Sequence, residues 1–168
     1  NADRMPGVAH FNDALREAIK GSDFDSGNDT GFVTGKPFME GWVATNLQGG
    51  AYYPANRGNY KEPAQMVQYV EAHDNLTLYD KLKISMPWDE EDSRMRRHLL
   101  ASSFVLLSQG IPFIHAGQEF MRTKNGLENS YNAPDSINRI DWHRRFEMRQ
   151  AVDYMKGLIA LRKQEPLF

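Results

Sequence analysis

Apolar residues follow two rhythms along the 168 positions, short continuous runs and helical spacing, and the two alternate. The run at 8–11 follows Pro6-Gly7 and leads into Asn12-Asp13, side chains suited to capping a helix N-terminus. Leu15, Ala18 and Ile19 then recur at helical spacing until Gly21, which predicts a first helix over about 12–21. Residues 22–36 are rich in Gly, Ser, Asp and Asn and read as a loop; 38–47, entered at Pro37, reads as a short helix. Another loop, 48–63, holds Tyr52, Tyr53 and Tyr60, and a long loop with several aromatics is commonly functional.

The second half repeats this alternation more clearly. Residues 65–72 (QMVQYVEA) are strand-prone and end at His73-Asp74-Asn75. Asp89 is placed to cap a strong helix, whose broad apolar face is formed by Met95, Leu99, Ser103 and Leu106 with Leu100, Phe104 and Leu107. Gly110 stops it, and 111–115 (IPFIH) reads as a further strand. A polar loop over 122–141 precedes a last helix over about 146–163, with Met148, Val152, Met155 and Ile159 on one face. Short strands alternating with helices predict βα units on a parallel sheet, an α/β fold whose chemistry sits in the loops after the strands' carboxyl ends. Those loops open at Asn12, His73 and His115.

Composition narrows the function classes. Cysteine is absent, so there is no disulfide scaffold. A formal net charge of −2 speaks against a nucleic-acid partner, which calls for a concentrated basic surface. The longest apolar stretch, 99–107, is broken by Ser102 and Ser103 and falls short of the roughly 18–20 residues that span a bilayer, so no membrane partner is expected.

The candidate chemistry concentrates at 73–75. A carboxylate at a strand's carboxyl end can act as acid, base, nucleophile or electrostatic stabiliser, and a neighbouring imidazole can bind a hydroxyl or hold the carboxylate. The same residues also suit a structural role, with Asp74 and Asn75 capping a turn over His73. His10, His73, His98, His115 and His143 are scattered without metal-ligand spacing, so neither metal nor cofactor is expected, and His98, beside Arg96 and Arg97, reads as a solvated or capping side chain. No nucleophile elbow, phosphate loop or dinucleotide fingerprint is present.

Several segments resemble one family. YVEAHDNLTLYD at 69–80 is similar to the fourth conserved segment of the α-amylase superfamily, which follows the seventh barrel strand, and QGIPFIHAGQEF at 109–120 resembles that family's eighth strand. NSYNAPDSINRIDW at 129–142 is similar to the debranching branch, the type I pullulanases, and FNDALREAIKG at 11–21 resembles their sixth-strand region. The resemblance implies about the last three βα units of a TIM (β/α)8 barrel. A whole barrel takes about 250 residues, so residues 1–168 are expected to be one partial glycoside hydrolase catalytic domain, lacking the barrel's N-terminal side.

The resemblance further implies a soluble parent that cleaves α-1,6-glucosidic bonds of starch, glycogen or pullulan with retention, or one with isoamylase-like or amylopullulanase specificity. It gives Asp74 the role of catalytic transition-state stabiliser and His73 that of a substrate-binding residue. Asp135 and Arg139 are expected to hold the next glucose, with Asn75, Tyr131 and Asn132 as further neighbours. The family's nucleophile and general acid reside on the fourth and fifth strands, which would precede Asn1, so the 168 residues alone are expected to be inactive. Those missing carboxylates also leave open a non-catalytic carbohydrate-binding or structural fragment. An uncovered sheet face of Val8, Val67, Val70, Phe113 and Ile114 leads to the expectation of a homo-oligomer.

Overall fold

The computed structural model describes residues 2–25, 27–49 and 60–168; Tyr52 and Tyr53 lie outside them. Three short strands form a parallel sheet: β1 (His10–Phe11), β2 (Met66–Gln68) and β3 (Ile111–Pro112), with β2 in the middle. Val67 stands opposite both Phe11 and Ile111. One further bond extends each ladder, from the Asn12 amide to the Val67 carbonyl and from the Phe113 amide to that of Gln68. Each strand is shorter than its apolar run. Over 65–72, pairing ends at Gln68 although Tyr69 and Val70 beyond it are still apolar and buried. Mixed helix and parallel strand confirm the α/β class.

Local signals set the first helix. In α1 (Asp13–Lys20), the Asn12 side chain accepts from the Leu15 amide at 3.1 Å, and Gly21 ends it at φ 85°. A Cβ at Gly21 would lie 2.6 Å from the Asp29 carbonyl oxygen, so only glycine fits there. α2 (Glu40–Leu47) follows. α3 (Leu78–Ser85) is not announced by the apolar pattern; the Thr77 hydroxyl caps it, and Leu78 and Leu82 enter the core.

α4 (Glu91–Leu107) starts after Glu90, and Asp89 is not its cap: its carboxylate instead takes a charge-assisted bond from Arg97 at 2.6 Å. The buried face of α4 is Arg94, His98, Ala101, Ser102, Val105 and Leu106, while Leu100 is exposed. His98 is therefore not solvated. It is fully buried, and its Nε2 bonds the Gln118 carbonyl at 2.8 Å.

After β3 come two single-turn helices, α5 (Asp135–Asn138) and α6 (Arg144–Glu147), and then α7 (Arg149–Gln164). α7 packs against α4 through Ala151, Val152, Met155 and Leu158, with Ile159 turned outward. Leu15, Ile19, Val70, Leu78, Leu82, Ala101 and Val105 share one core cluster. Val70 is thus covered, while Val8 and Phe11 remain exposed. Among the described residues, no helix is long and apolar enough to cross a membrane.

Candidate active site

The chain leaves β2 through Tyr69, Val70, Glu71 and Ala72 and reaches the surface at His73-Asp74-Asn75. The exit is braced by buried amides. Gln68 donates to the Asn46 and Gln109 carbonyls at 2.9 and 2.8 Å, and accepts at 2.8 Å from Asn12, the residue that also caps α1. The carboxyl ends of β1 and β2 and the amino end of β3 are thereby held together. The His73 and Asp74 side chains are 85% and 79% exposed, with Nε2 and Oδ1 3.4 Å apart. Asn75 adopts a left-handed backbone at φ 62°.

These three residues form the rim of a cavity of about 380 Å³ at the carboxyl ends of β1 and β2. Phe11, Tyr69 and Phe113 supply its apolar wall, with Phe11 edge-on to both partners at centroid distances of 4.9 and 5.5 Å. Its charged lining is internally paired. The Tyr69 hydroxyl donates to the Asp13 carboxylate and accepts from Arg16 at 2.5 Å. Burial first, and then the bond to Asp13, push the Tyr69 hydroxyl well above its ordinary value, so it stays protonated. Lys20 and Asp23 form an ion pair at 2.8 Å with both side chains 1% exposed. Burial lowers the Lys20 ammonium while Asp23 opposes that shift. With the deeper charges paired, Asp74 is the carboxylate at the rim that remains open to a ligand.

Beneath the rim, one buried carboxylate joins three elements. Glu71 accepts from the Leu78 amide, at the start of α3, at 2.5 Å and from His115 Nδ1, beyond β3, at 3.0 Å. Lys124, also buried, directs its ammonium at backbone carbonyls of 73 and 75. Neither residue stands out in the sequence: Glu71 sits in a strand-like run, and Lys124 is a lysine in a polar loop. Among the described residues, no group of three or more His, Asp or Glu side chains is placed to hold a metal ion.

His73, Asp74 and Asn75 thus converge, while the other sequence candidates stand apart. Tyr131, Asn132, Asp135 and Arg139 are exposed and do not line this cavity. The Arg139 amide bonds the Asp135 carbonyl at 2.8 Å, and among the described residues no ion pair joins their side chains. Chemically, an exposed carboxylate over an aromatic-walled cavity can offset positive charge developing on a bound sugar, whose apolar faces suit aromatic walls.

No family model matches the chain. A pullulanase of Bacillus subtilis is 44% identical over all 168 residues, which make up 23% of that protein. A crystal structure of a pullulanase from Paenibacillus barengoltzii, in complex with maltohexaose and α-cyclodextrin, superposes on 99% of the chain with a TM-score of 0.94 at 48% identity, covering 26% of its own length. An isoamylase from a Flavobacterium species is 28% identical over 95% of the chain and 22% of its own length. The chain spans about a quarter of the length of the pullulanases it matches. Whole-length sequence identity, the shared fold and the segments at 69–80 and 129–142 together place this chain in the pullulanase family.

Proposed function

We propose that these residues are part of the catalytic domain of a debranching glycoside hydrolase that cleaves α-1,6-glucosidic bonds of pullulan, glycogen or starch with retention. The observation that carries this reading is Asp74, an open carboxylate beside His73 at the rim of an aromatic-walled cavity. Glycoside cleavage passes through an oxocarbenium-like state whose positive charge a fixed carboxylate stabilises. Asp74 takes that role and His73 binds hydroxyls of the same sugar. Asp135 and Arg139 hold the next glucose, Tyr131 offers a face for stacking, and Asn75 and Asn132 flank the site.

Parallel strands that are neighbours in space in their sequence order, joined through helices, suit an arc of a (β/α)8 barrel, whose sites lie at the strands' carboxyl ends. Retention requires two further carboxylates about 5–5.5 Å apart. On this reading they stand on strands other than β1, β2 and β3, and the 168 residues alone are expected to be inert on pullulan. Among the described residues no further strand pairs with the outer edges of β1 and β3, Phe11 and Ile111 are exposed, and a second copy is expected to pair there.

The test is Asp74→Asn in the polypeptide that joins these residues to the nucleophile and the acid. We expect kcat on pullulan to fall at least about 10²–10³-fold, the usual loss for one preorganised charge-stabilising group. An unchanged kcat would remove Asp74 from the mechanism, and release of reducing ends by the 168 residues alone would sink the division of labour.

A further inference from the structure

Lys124 is 1% exposed, an unusual place for an ammonium group, which must be fully hydrogen-bonded to be tolerated there. Its Nζ donates to three backbone carbonyls: His73 at 3.1 Å, Asn75 at 2.6 Å and Glu128 at 3.2 Å. An ammonium has three donors, and these acceptors use all three. Two of them are the carbonyls on either side of Asp74. The third belongs to the segment that runs on to Tyr131 and Asp135.

The lysine is itself held in place. Asp80, in the first turn of α3, accepts from the Lys124 amide at 2.7 Å and from the Thr123 hydroxyl at 2.5 Å. Asn75, meanwhile, sits at φ 62°, a conformation that a non-glycine residue keeps only when its surroundings enforce it. The shortest of the three ammonium bonds goes to that residue's carbonyl.

We infer that Lys124 is the positioning residue for Asp74: by bonding the carbonyls of 73, 75 and 128 it fixes the 73–74 and 75–76 peptides, which bracket the aspartate, and ties them to the second segment proposed to face the sugar. This rests on the proposed role of Asp74. A buried charge is a poor stabiliser of a fold, since an apolar side chain of similar volume often serves as well. What the ammonium adds is direction, and a misplacement of about 1 Å can cost 10²-fold in rate.

The experiment is a double-mutant cycle in the full-length polypeptide with pullulan as substrate. Lys124→Met should lower kcat about 10-fold or more while KM moves less than about 2-fold, because the carboxylate it displaces acts on the transition state and not on the ground-state sugar. Adding Lys124→Met to Asp74→Asn should cost nothing further, since the lysine acts through the aspartate. A kcat equal to wild type, or a double variant slower by the product of the two single losses, overturns the inference. Lys124→Gln, neutral but still able to donate to two carbonyls, serves if the methionine variant fails to fold. In that variant, amide hydrogen exchange over 73–76 should quicken about 10-fold or more, with α4 and α7 unchanged. Unchanged exchange at 73–76 overturns the inference whatever the activity. A normal kcat for Asp74→Asn would instead sink the functional reading and leave the exchange result to stand on its own.

Discussion

The segments at 73–75 and 130–139 both present exposed polar side chains to the same solvent, yet they are held by different forces. Under His73 and Asp74 lie buried ionisable groups: Glu71 bonded to the Leu78 amide and His115, and Lys124 and Asp80 locked to backbone. Under Tyr131, Asp135 and Arg139 the hold is a helical turn, the neutral Asn138 amide and one cation, the Arg122 guanidinium at the turn's last carbonyl. Asn138 donates to the Ser130 and Ala133 carbonyls at 2.7 and 3.0 Å, and Arg122 donates to the Asn138 carbonyl at 2.7 Å. Charge-assisted bonds away from water are roughly twice as strong as neutral ones and are costly to leave half made. The first segment is therefore built for one geometry and the second for adjustment. That division suits the proposed roles, a carboxylate matched to a transition state and neighbours that hold the ground-state sugar.

The largest effect should come from Glu71→Ala, which strips a buried acceptor from both His115 and the start of α3. A loss of about 3 kcal/mol in urea unfolding is expected, as for a broken buried pair, and a loss under about 1 kcal/mol would erase the contrast between the segments. Asp80→Ala should follow at about 2 kcal/mol, the penalty for freeing a buried amide and hydroxyl, with faster amide exchange at both 73–76 and 123–128. Asn138→Ala should cost about 1 kcal/mol and quicken exchange over 130–139 alone; spread to 73–76 would show that the two segments are one unit.

A pH arm sharpens the comparison. Burial pushes the His98 imidazole below its ordinary 6.5, so the folded protein keeps it neutral while the unfolded chain takes up a proton. The unfolded state then binds more protons at acid pH, and this contribution to stability falls as pH drops through about 6.5. His98 supports the Gln118 carbonyl, and Gln118 in turn accepts from the His115 amide, so acid should loosen the 73–75 side first. Thermal midpoints between pH 7 and pH 5 should fall in the wild type and flatten in His98→Asn. Arg139→Ala should change stability by less than about 0.5 kcal/mol, as expected of an exposed side chain without an ion-pair partner among the described residues.

Much of the scaffold was legible because its signals are local. Asn12 and Gly21 bound α1 through contacts within a few residues, and Gly110 separates α4 from β3. The faces of the long helices were less so. Leu100 and Ile159 fit the apolar spacing but point outward, since the buried face of each helix is set by where α3, α4 and α7 meet. α3 itself was invisible because its eight residues mix Lys81 and Asp80 with two leucines, and both charged side chains are buried.

The alternation of the three strands with α1, α2, α4 and α7, the resemblance to the pullulanases, and the polar triplet at the end of β2 follow from the sequence by itself, since each is written in adjacent residues. Which charges are buried is another matter. His98, Lys81 and Lys124 look like surface residues in the chain, and partners distant in sequence bury them: Gln118 for His98; Ser22, Gly27 and Asp29 for Lys81; His73 and Asn75 for Lys124. A buried polar group is identical in composition to an exposed one. What distinguishes them is whether remote carbonyls arrive to replace water, and only the tertiary structure decides that.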